Sequence, residues 1–364
     1  MDAKLVTDRS FSFSGTRLFL FLTIGLTVAA IALDAVAGRP FHQVASLTLP
    51  LWASALATAG VGFWAVPLLK ALKAGQVIRE DGPQSHLKKA GTPTMGGAFF
   101  VPVAVAFALV LSGFSANVVA VSALTLAYAL VGFIDDWQII RYKSNKGISP
   151  RLKLGLQVFF AVAFCAWLYA SHPVSITTLA LPLGLTLPLG VLFWVLAAFT
   201  LVAESNATNL TDGMDGLAGG TVAIALLGLG ALIGTSSPDL MIFCVSMSGG
   251  CLGFLVHNRN PARVFMGDTG SLALGGGLAA VALITNSLFA LLILSGLFFL
   301  ETLSVIAQVG YYKATKDSNG IGKRLFKMSP FHNHLELTGW TETQVVGWFY
   351  VIAAVLVVLG LTIR

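Results

Sequence analysis

Charge is what this sequence has least of. Only 10% of its 364 residues are Asp, Glu, Lys or Arg, against roughly 25% in a soluble domain. With 56% hydrophobic residues and a mean hydropathy of +0.84, there is too little polar surface to coat a water-soluble globule. Cysteine is scarce as well. Cys165, Cys244 and Cys251 all fall inside apolar runs, which argues against a disulfide framework or a cysteine-rich zinc site. No stretch reads as a separate soluble domain, a low-complexity tract or a short-period repeat. The opening "MDAKLVTDRS" leads into an apolar run without a clear small-residue cleavage site, so no cleaved signal peptide is expected.

What is there is a series of long apolar runs. Segments such as "VIAAVLVVLGLTI" are continuous, whereas barrel strands would alternate in character. The pattern predicts an all-α polytopic membrane protein, one integral domain over 1–364, with eleven helices. These are expected at 17–37, 48–69, 97–113, 116–134, 154–170, 185–203, 217–234, 239–256, 271–286, 288–311 and 344–363. Lys and Arg accumulate on the cytoplasmic side of membrane proteins. With the N-terminus inside, all of the 22 basic residues except Arg39 and Arg364 fall on that side. The polar clusters then sit in five inner loops, 70–96, 135–153, 204–216, 257–270 and 312–343, while the outer "SHPVSITTLALPLGLTLPL" is nearly charge-free.

Three inner loops concentrate carboxylates: "GFIDDW" with Asp135 and Asp136 at the end of the fourth helix, "NATNLTDGMDG" with Asp212 and Asp215, and "FMGDTGS" with Asp268. Any one of these alone is more often a solvated residue at a helix end. Together on one membrane face they need cations or a metal, because like charges near lipid repel and lose hydration. With no soft-ligand set in view, Mg²⁺ is the expected ion, sharing carboxylates with substrate phosphates. "REDGPQSHLKKAGTPTMGG" adds His86, Lys88, Lys89 and a Gly/Thr turn entering a helix, a place that receives anions. "RYKSNKGISPRLK" adds five more cations. The positive-inside bias accounts for most of these, but not for the Gly/Thr turn. A basic rim beside carboxylates suits a nucleotide diphosphate with a metal. Nucleic acid is a poor fit, because membrane spans interrupt the basic residues. In "FKMSPFHNHLELTGW", His332 and His334 suit phosphate contact or proton handling better than zinc. His257 reads as structural. The sequons at Asn206 and Asn209 lie on the inner side, where N-glycosylation does not occur.

These loops resemble those of the polyprenyl-phosphate N-acetylhexosamine-1-phosphate transferases, within them the branch that uses a muramoyl-pentapeptide donor. The resemblance runs from about Gly75 to the C-terminus. It rests on "DGPQSHLKKAGTPTMGG", "GFIDDW", "SNATNLTDGMDGLAGG", "GFLVHNRNPARVFMGDTGSLALGG", "ETLSVIAQVGYYK" and "FKMSPFHNHLELTGW". It implies a ten-helix core over 48–364, to which helix 17–37 is an addition. It also implies a reaction: UDP-N-acetylmuramoyl-pentapeptide passes its phospho-sugar to undecaprenyl phosphate in the bacterial inner membrane, giving UMP and lipid I. By the resemblance, Asp268 is the Mg²⁺ ligand with Asp212 beside it, Asp135 is a base toward the lipid phosphate, and Asp136 supports either. Asn206, Asn209, Asp212 and Asp215 match the nucleotide and metal loop, and Phe265 a uracil-stacking ring with Asn258 nearby. Lys89, Thr94, Lys153 and Gln308 match polar positions around the nucleotide-sugar, and His332 the leading histidine of the last loop, a catalytic position, with His334 following as a substrate-binding one.

Two positions depart from the family pattern. Ile139 stands where a lysine is expected, leaving Arg141 or Lys143 to supply that charge, and Asn333 replaces the middle of three histidines. Two other functions stay open from the residues. A related transferase could use UDP-N-acetylglucosamine. A transporter would carry ionisable groups at mid-membrane, where only Glu301 and Asp34 stand here. The association state is open, a homodimer included.

Overall fold

The computed structural model describes residues 14–72, 89, 91–142 and 147–363. His86, Lys88 and Lys143 lie outside the described residues. The described chain is an all-α polytopic membrane protein of thirteen α-helices: α1 (Gly15–Val36), α2 (Thr48–Ala71), α3 (Gly97–Leu111), α4 (Ala116–Tyr142), α5 (Pro150–Ser171), α6 (Leu192–Thr211), α7 (Leu217–Ile233), α8 (Pro238–Asn258), α9 (Gly267–Ile284), α10 (Leu288–Leu294), α11 (Gly296–Ala314), α12 (Phe331–Leu337) and α13 (Glu342–Thr362). Seven are long and apolar enough to cross a membrane, or eight if the bent pair α10–α11 counts as one span. Gly97–Leu111 and Leu217–Ile233 are shorter.

Helices α8 and α9 form the centre. α8 packs against α2, α7 and α3, and α9 packs against α4 and α6. In their most apolar stretches 94% and 83% of residues are buried, against 22% in α1 and 28% in α13, which marks the latter as rim helices. "SMSGGCLG" in α8 and "GSLALGGGLAA" in α9 are made of small residues, which let backbones approach where lipid gives no hydrophobic drive between helices. The rim turns large apolar side chains outward, such as Phe21, Ile24 and Val28 of α1 and Leu303 and Ile306 of α11. In water such faces would be an aggregation hazard, whereas in a bilayer they are solvated.

Several sequence-based helix ends are corrected. α4 was expected to stop at 134 and α6 at 203, where charge and amides begin. Both continue, to Tyr142 and Thr211. No Gly or Pro interrupts either segment, and their polar groups find partners within the bundle, so the helix had no reason to end. The helix expected from 185 starts at Leu192. Residues before it form a short antiparallel hairpin, β1 (Thr178–Ala180) with β2 (Thr186–Pro188), in register Thr178↔Pro188. The expected break after Asn286 is present, with Asn286 at φ 52°. The run 288–311 instead divides at Ser295, where α10 and α11 meet at 72°. The last loop contains an unexpected short helix, α12.

The connections collect at two ends of the bundle. At one end Phe265 N–H donates to Pro93 O, Asp215 accepts from Ala262 N–H, and Ile148 N–H donates to Asp135. At the other Arg39 reaches Asp34 and Met241, Ser115 donates to Asp239, and Asn286 bonds the hairpin at Thr178. All three carboxylate clusters belong to the first end.

Candidate active site

Asp136 is buried on α4 and ties that helix to the start of α9. Its carboxylate accepts from the Asp268 and Thr269 backbone N–H groups at 3.2 and 3.0 Å and from Thr269 Oγ1 at 2.6 Å. The first N–H groups of a helix lack internal partners and carry partial positive charge, so a carboxylate there is satisfied and stabilising. Gly267 has φ 72° just before this cap, and a side chain there would run into Asp136 Oδ2 and the Thr94 hydroxyl. Asp136 and Thr94 are therefore shaped around the Gly267 turn, and Asp136 presents the neighbouring Asp268 rather than competing with it.

Asp268, one residue into α9, is held from two sides. Asn209 Nδ2 donates to its Oδ1 at 2.7 Å and also to Ser271 Oγ at 2.9 Å. Its Oδ2 bonds the Lys153 ammonium, which stands 4.0 Å from Asp135 Oδ2. Asp135 also accepts from Ile148 N–H at 2.9 Å. One ammonium from α5 thus bridges carboxylates from α4 and α9, and side chains 11 to 23% exposed leave the pocket open to solvent. Asp212 follows the end of α6. Burial, then the Asp268, Asp136 and Asp215 carboxylates, push its pKa up to about 8, against a backbone hydrogen bond from Gly267 that works the other way.

A second cluster lies along the same turn. Lys89 Nζ bonds Asp215 Oδ1 at 2.7 Å and Glu342 Oε1 at 2.5 Å. Asn260 Nδ2 donates to Asp215 Oδ2 and Glu342 Oε2 at 3.0 and 2.9 Å, and Asp215 N–H donates to Glu342 Oε1 at 2.7 Å. Burial alone would lower the Lys89 pKa, but the Glu342 and Asp215 carboxylates hold it above its ordinary value. The Lys89 turn, the α6–α7 turn, the α8–α9 loop and the start of α13 are thereby fastened at one point.

Other expected site residues are engaged elsewhere. Asn206 Nδ2 donates to Gln157 Oε1 and its own helix, inside the bundle. Asn258 accepts from Gly216 N–H and donates to Val264 O, holding two loops together. Gln308 Oε1 accepts from the Leu325 and Phe326 N–H groups, and His334 Nδ1 accepts from Lys327 N–H. His332 is buried against Glu301, with Nδ1 3.1 Å from Oε2. Phe265 is half-buried, its backbone paired with Pro93 and Gly96. Arg141 lies over the Tyr142 ring, 5.7 Å from its centroid. Reading the sequence missed Glu342, Asn260, Ser271 and Thr269. Thr269 and Ser271, inside "GDTGS", and Asn260, inside "HNRNPAR", stood in quoted motifs, whereas Glu342 carried no local signal.

Among the described residues, no three His, Cys, Asp or Glu side chains form a ready metal cage. The donor set nevertheless fits a hard divalent ion. Mg²⁺ usually takes one or two carboxylates and completes its shell with water and substrate phosphates. Asp268 and Asp212 offer oxygen, and Asp268 and Asp135 share a single ammonium, which leaves room for a cation.

Residues 118–286 match the family model described as glycosyl transferase family 4, and residues 89–101 match phospho-N-acetylmuramoyl-pentapeptide-transferase signature 1. A protein of that transferase name from Nostoc punctiforme is 67% identical over 98% of both chains. One from Trichormus variabilis is 66% identical over 100% of this chain and 99% of its own. One from Synechocystis is 58% identical over 95% of this chain and 94% of its own.

Proposed function

Because this chain belongs to the phospho-N-acetylmuramoyl-pentapeptide transferase family, we propose that the pocket between Asp135, Lys153 and Asp268 is where its phosphoryl transfer takes place. The chain is an enzyme of peptidoglycan synthesis that transfers phospho-N-acetylmuramoyl-pentapeptide. On our reading the donor is the UDP-linked sugar and the acceptor undecaprenyl phosphate, with UMP and lipid I as products. On the same reading the site faces the cytoplasm of the bacterial inner membrane, an orientation that the distribution of Lys and Arg supports. The chain then crosses about eleven times, with α10–α11 counted as one span and α3, α6 and α7 counted beside the seven long apolar helices.

Phosphoryl transfer asks a protein mainly for positioning and charge neutralisation. Asp268 and Asp212 would hold Mg²⁺, which when bound neutralises the diphosphate and the departing UMP. Lys153, bonded to Asp268 and 4.0 Å from Asp135, would bind acceptor or donor phosphate oxygens. Asp135 accepts a proton from the lipid phosphate and keeps it anionic for direct attack at the phosphorus bonded to the sugar. Asp136 holds α9, and through it Asp268, in place. Lys89 and Asp215 hold the nucleotide end, with Phe265 stacked on uracil. Asn209 orients Asp268.

The observation that carries this reading is the meeting of Asp135 and Asp268, 133 residues apart in sequence, on one Lys153 ammonium. The test uses purified protein in detergent with both substrates, following UMP release and passage of the labelled sugar into lipid. Mg²⁺-dependent appearance of both supports it. UMP release from UDP-N-acetylglucosamine in preference to the muramoyl-pentapeptide donor would refute the donor assignment.

A further inference from the structure

Glu301 and His332 form a buried acid–imidazole pair that the proposed reaction does not use. Glu301 on α11 is 0% exposed and His332 on α12 is 1% exposed. The His332 backbone N–H lies 3.2 and 3.4 Å from the two Glu301 oxygens, and its Nδ1 lies 3.1 Å from Oε2. Nδ1 and Oε2 share one hydrogen bond, and together with the backbone N–H contact it holds the ring in one orientation. The ring's other nitrogen, Nε2, is buried without a hydrogen-bond partner. It points at Gly213, where any side chain would overlap it. Gly213 itself is exposed on its far side. The imidazole therefore backs the turn that carries Asp212 and Asp215, from beneath.

The packing agrees. Met214 and Leu217, from the same turn, form a small apolar cluster with Leu297 of α11 and Val345, Val346 and Phe349 of α13, separate from the main core. Phe331 and Leu335 pack against it, one on each side of His332 in sequence. Tyr350 Oη donates to Gly216 O at 2.6 Å, fixing the other end of the turn. An unpartnered buried nitrogen is costly and calls for an explanation.

We propose that the Glu301–His332 pair is a strut: Glu301 locks the imidazole, and the imidazole holds the Asp212–Asp215 turn by filling the space beside Gly213. His332 is then a positioning residue, acting through the turn rather than touching substrate. This rests on the reading of Asp212 and Asp215 as site residues.

The test compares Mg²⁺-dependent UMP release by purified variants, each checked by thermal unfolding in detergent. His332→Ala and Gly213→Ala are each expected to lower kcat/KM by ~10- to 100-fold, the scale of a small misplacement of reacting groups. The pH profile of kcat keeps its shape in both. The double variant recovers activity relative to Gly213→Ala alone, because the methyl enters the space the ring has left. Glu301→Gln keeps an oxygen facing Nδ1 and the volume of the side chain, and stays within about threefold of wild type. Loss of a limb of the pH profile in His332→Ala, simple multiplication of the two single effects, or a large loss with a shifted profile in Glu301→Gln overturns the strut and makes His332 a proton carrier. Wild-type turnover in Asp268→Asn would instead overturn the site reading on which the strut rests, so the two failures are distinguishable.

Discussion

At opposite ends of this bundle two buried aspartates do the same structural job with different consequences. Asp34 caps α2, accepting from Leu47 N–H at 2.9 Å, Thr48 N–H at 3.0 Å and Thr48 Oγ1 at 2.8 Å. Asp136 caps α9 with the same trio, two successive backbone N–H groups and a threonine hydroxyl. Beside Asp34 stands one cation, Arg39, with Nε 3.2 Å from Oδ1, so this carboxylate is matched by one charge. Beside Asp136 stand Asp135, Asp212 and Asp268, with Lys153 as the ammonium bonded among them. A buried carboxylate on a helix end is therefore no sign of chemistry in itself, since helix termini ask for one. What separates the two aspartates is their neighbours: Asp34 has a cation of its own, whereas Asp136 stands among further carboxylates of which Asp135 and Asp268 share one ammonium.

That contrast can be broken or sharpened by substitution. The largest effect is expected at Asp268 and Asp135. Changing either to Asn should lower turnover by ~10²- to 10³-fold or more, as losses of transition-state charge stabilisation do, while the unfolding temperature stays close to wild type. UMP release and a melting curve on the same sample decide it.

A smaller effect is expected along the nucleotide turn. Lys89→Ala or Glu342→Gln removes a charged hydrogen bond from a half-buried network and should raise the donor KM by ~10-fold with a lesser change in kcat. An unchanged KM with a collapsed kcat would move Lys89 to the reacting phosphates.

Smaller still, for turnover, is the control at the opposite end. Asp34→Ala removes the carboxylate that caps α2 and pairs with Arg39, and should cost about 1–3 kcal/mol of stability. The kcat of the folded fraction should not change. A changed kcat would mean that the two ends are coupled and the contrast fails.

The smallest expected effect is on pH dependence. The folded-state pKa of Asp212 is raised to about 8. Its contribution to stability is thus present below the ordinary carboxyl pKa near 4 and is lost as pH rises toward about 8. In chelator the melting temperature should fall across that window. Asp212→Asn should flatten the fall, and a slope unchanged by the substitution would contradict the assignment.

The apolar runs and the three carboxylate clusters were legible in the sequence because both are local: a span is a run, and "GFIDDW" or "FMGDTGS" is a cluster wherever it folds. Helix ends were less so. Charge at Asp135 and the amides at Asn206 and Asn209 were read as the edges of spans, yet those groups find partners on α5 and α9 that no local pattern announces. Glu342 and Asn260 stand in polar stretches that do not point to each other, and their role arises only when the α13 start meets the α8–α9 loop. Glu301 stood out as an acid in an apolar segment, but its partner lay 31 residues away. Glu204, wholly buried and accepting from Ser295 Oγ at 2.6 Å at the α10–α11 bend, was read as part of a loop. For Asn206, Gln308 and His334 the resemblance named polar residues at the right positions, and here their polar atoms bond to the protein's own side chains and backbone.

The central claim is that the carboxylate cluster serves one divalent cation. The most direct measurement is manganese binding, followed by electron paramagnetic resonance, on the purified protein and on Asp268→Asn, with UDP present. A single site that Mg²⁺ displaces from the wild-type protein, and that is lost in Asp268→Asn, is the predicted result. Equal manganese binding by both proteins would contradict it.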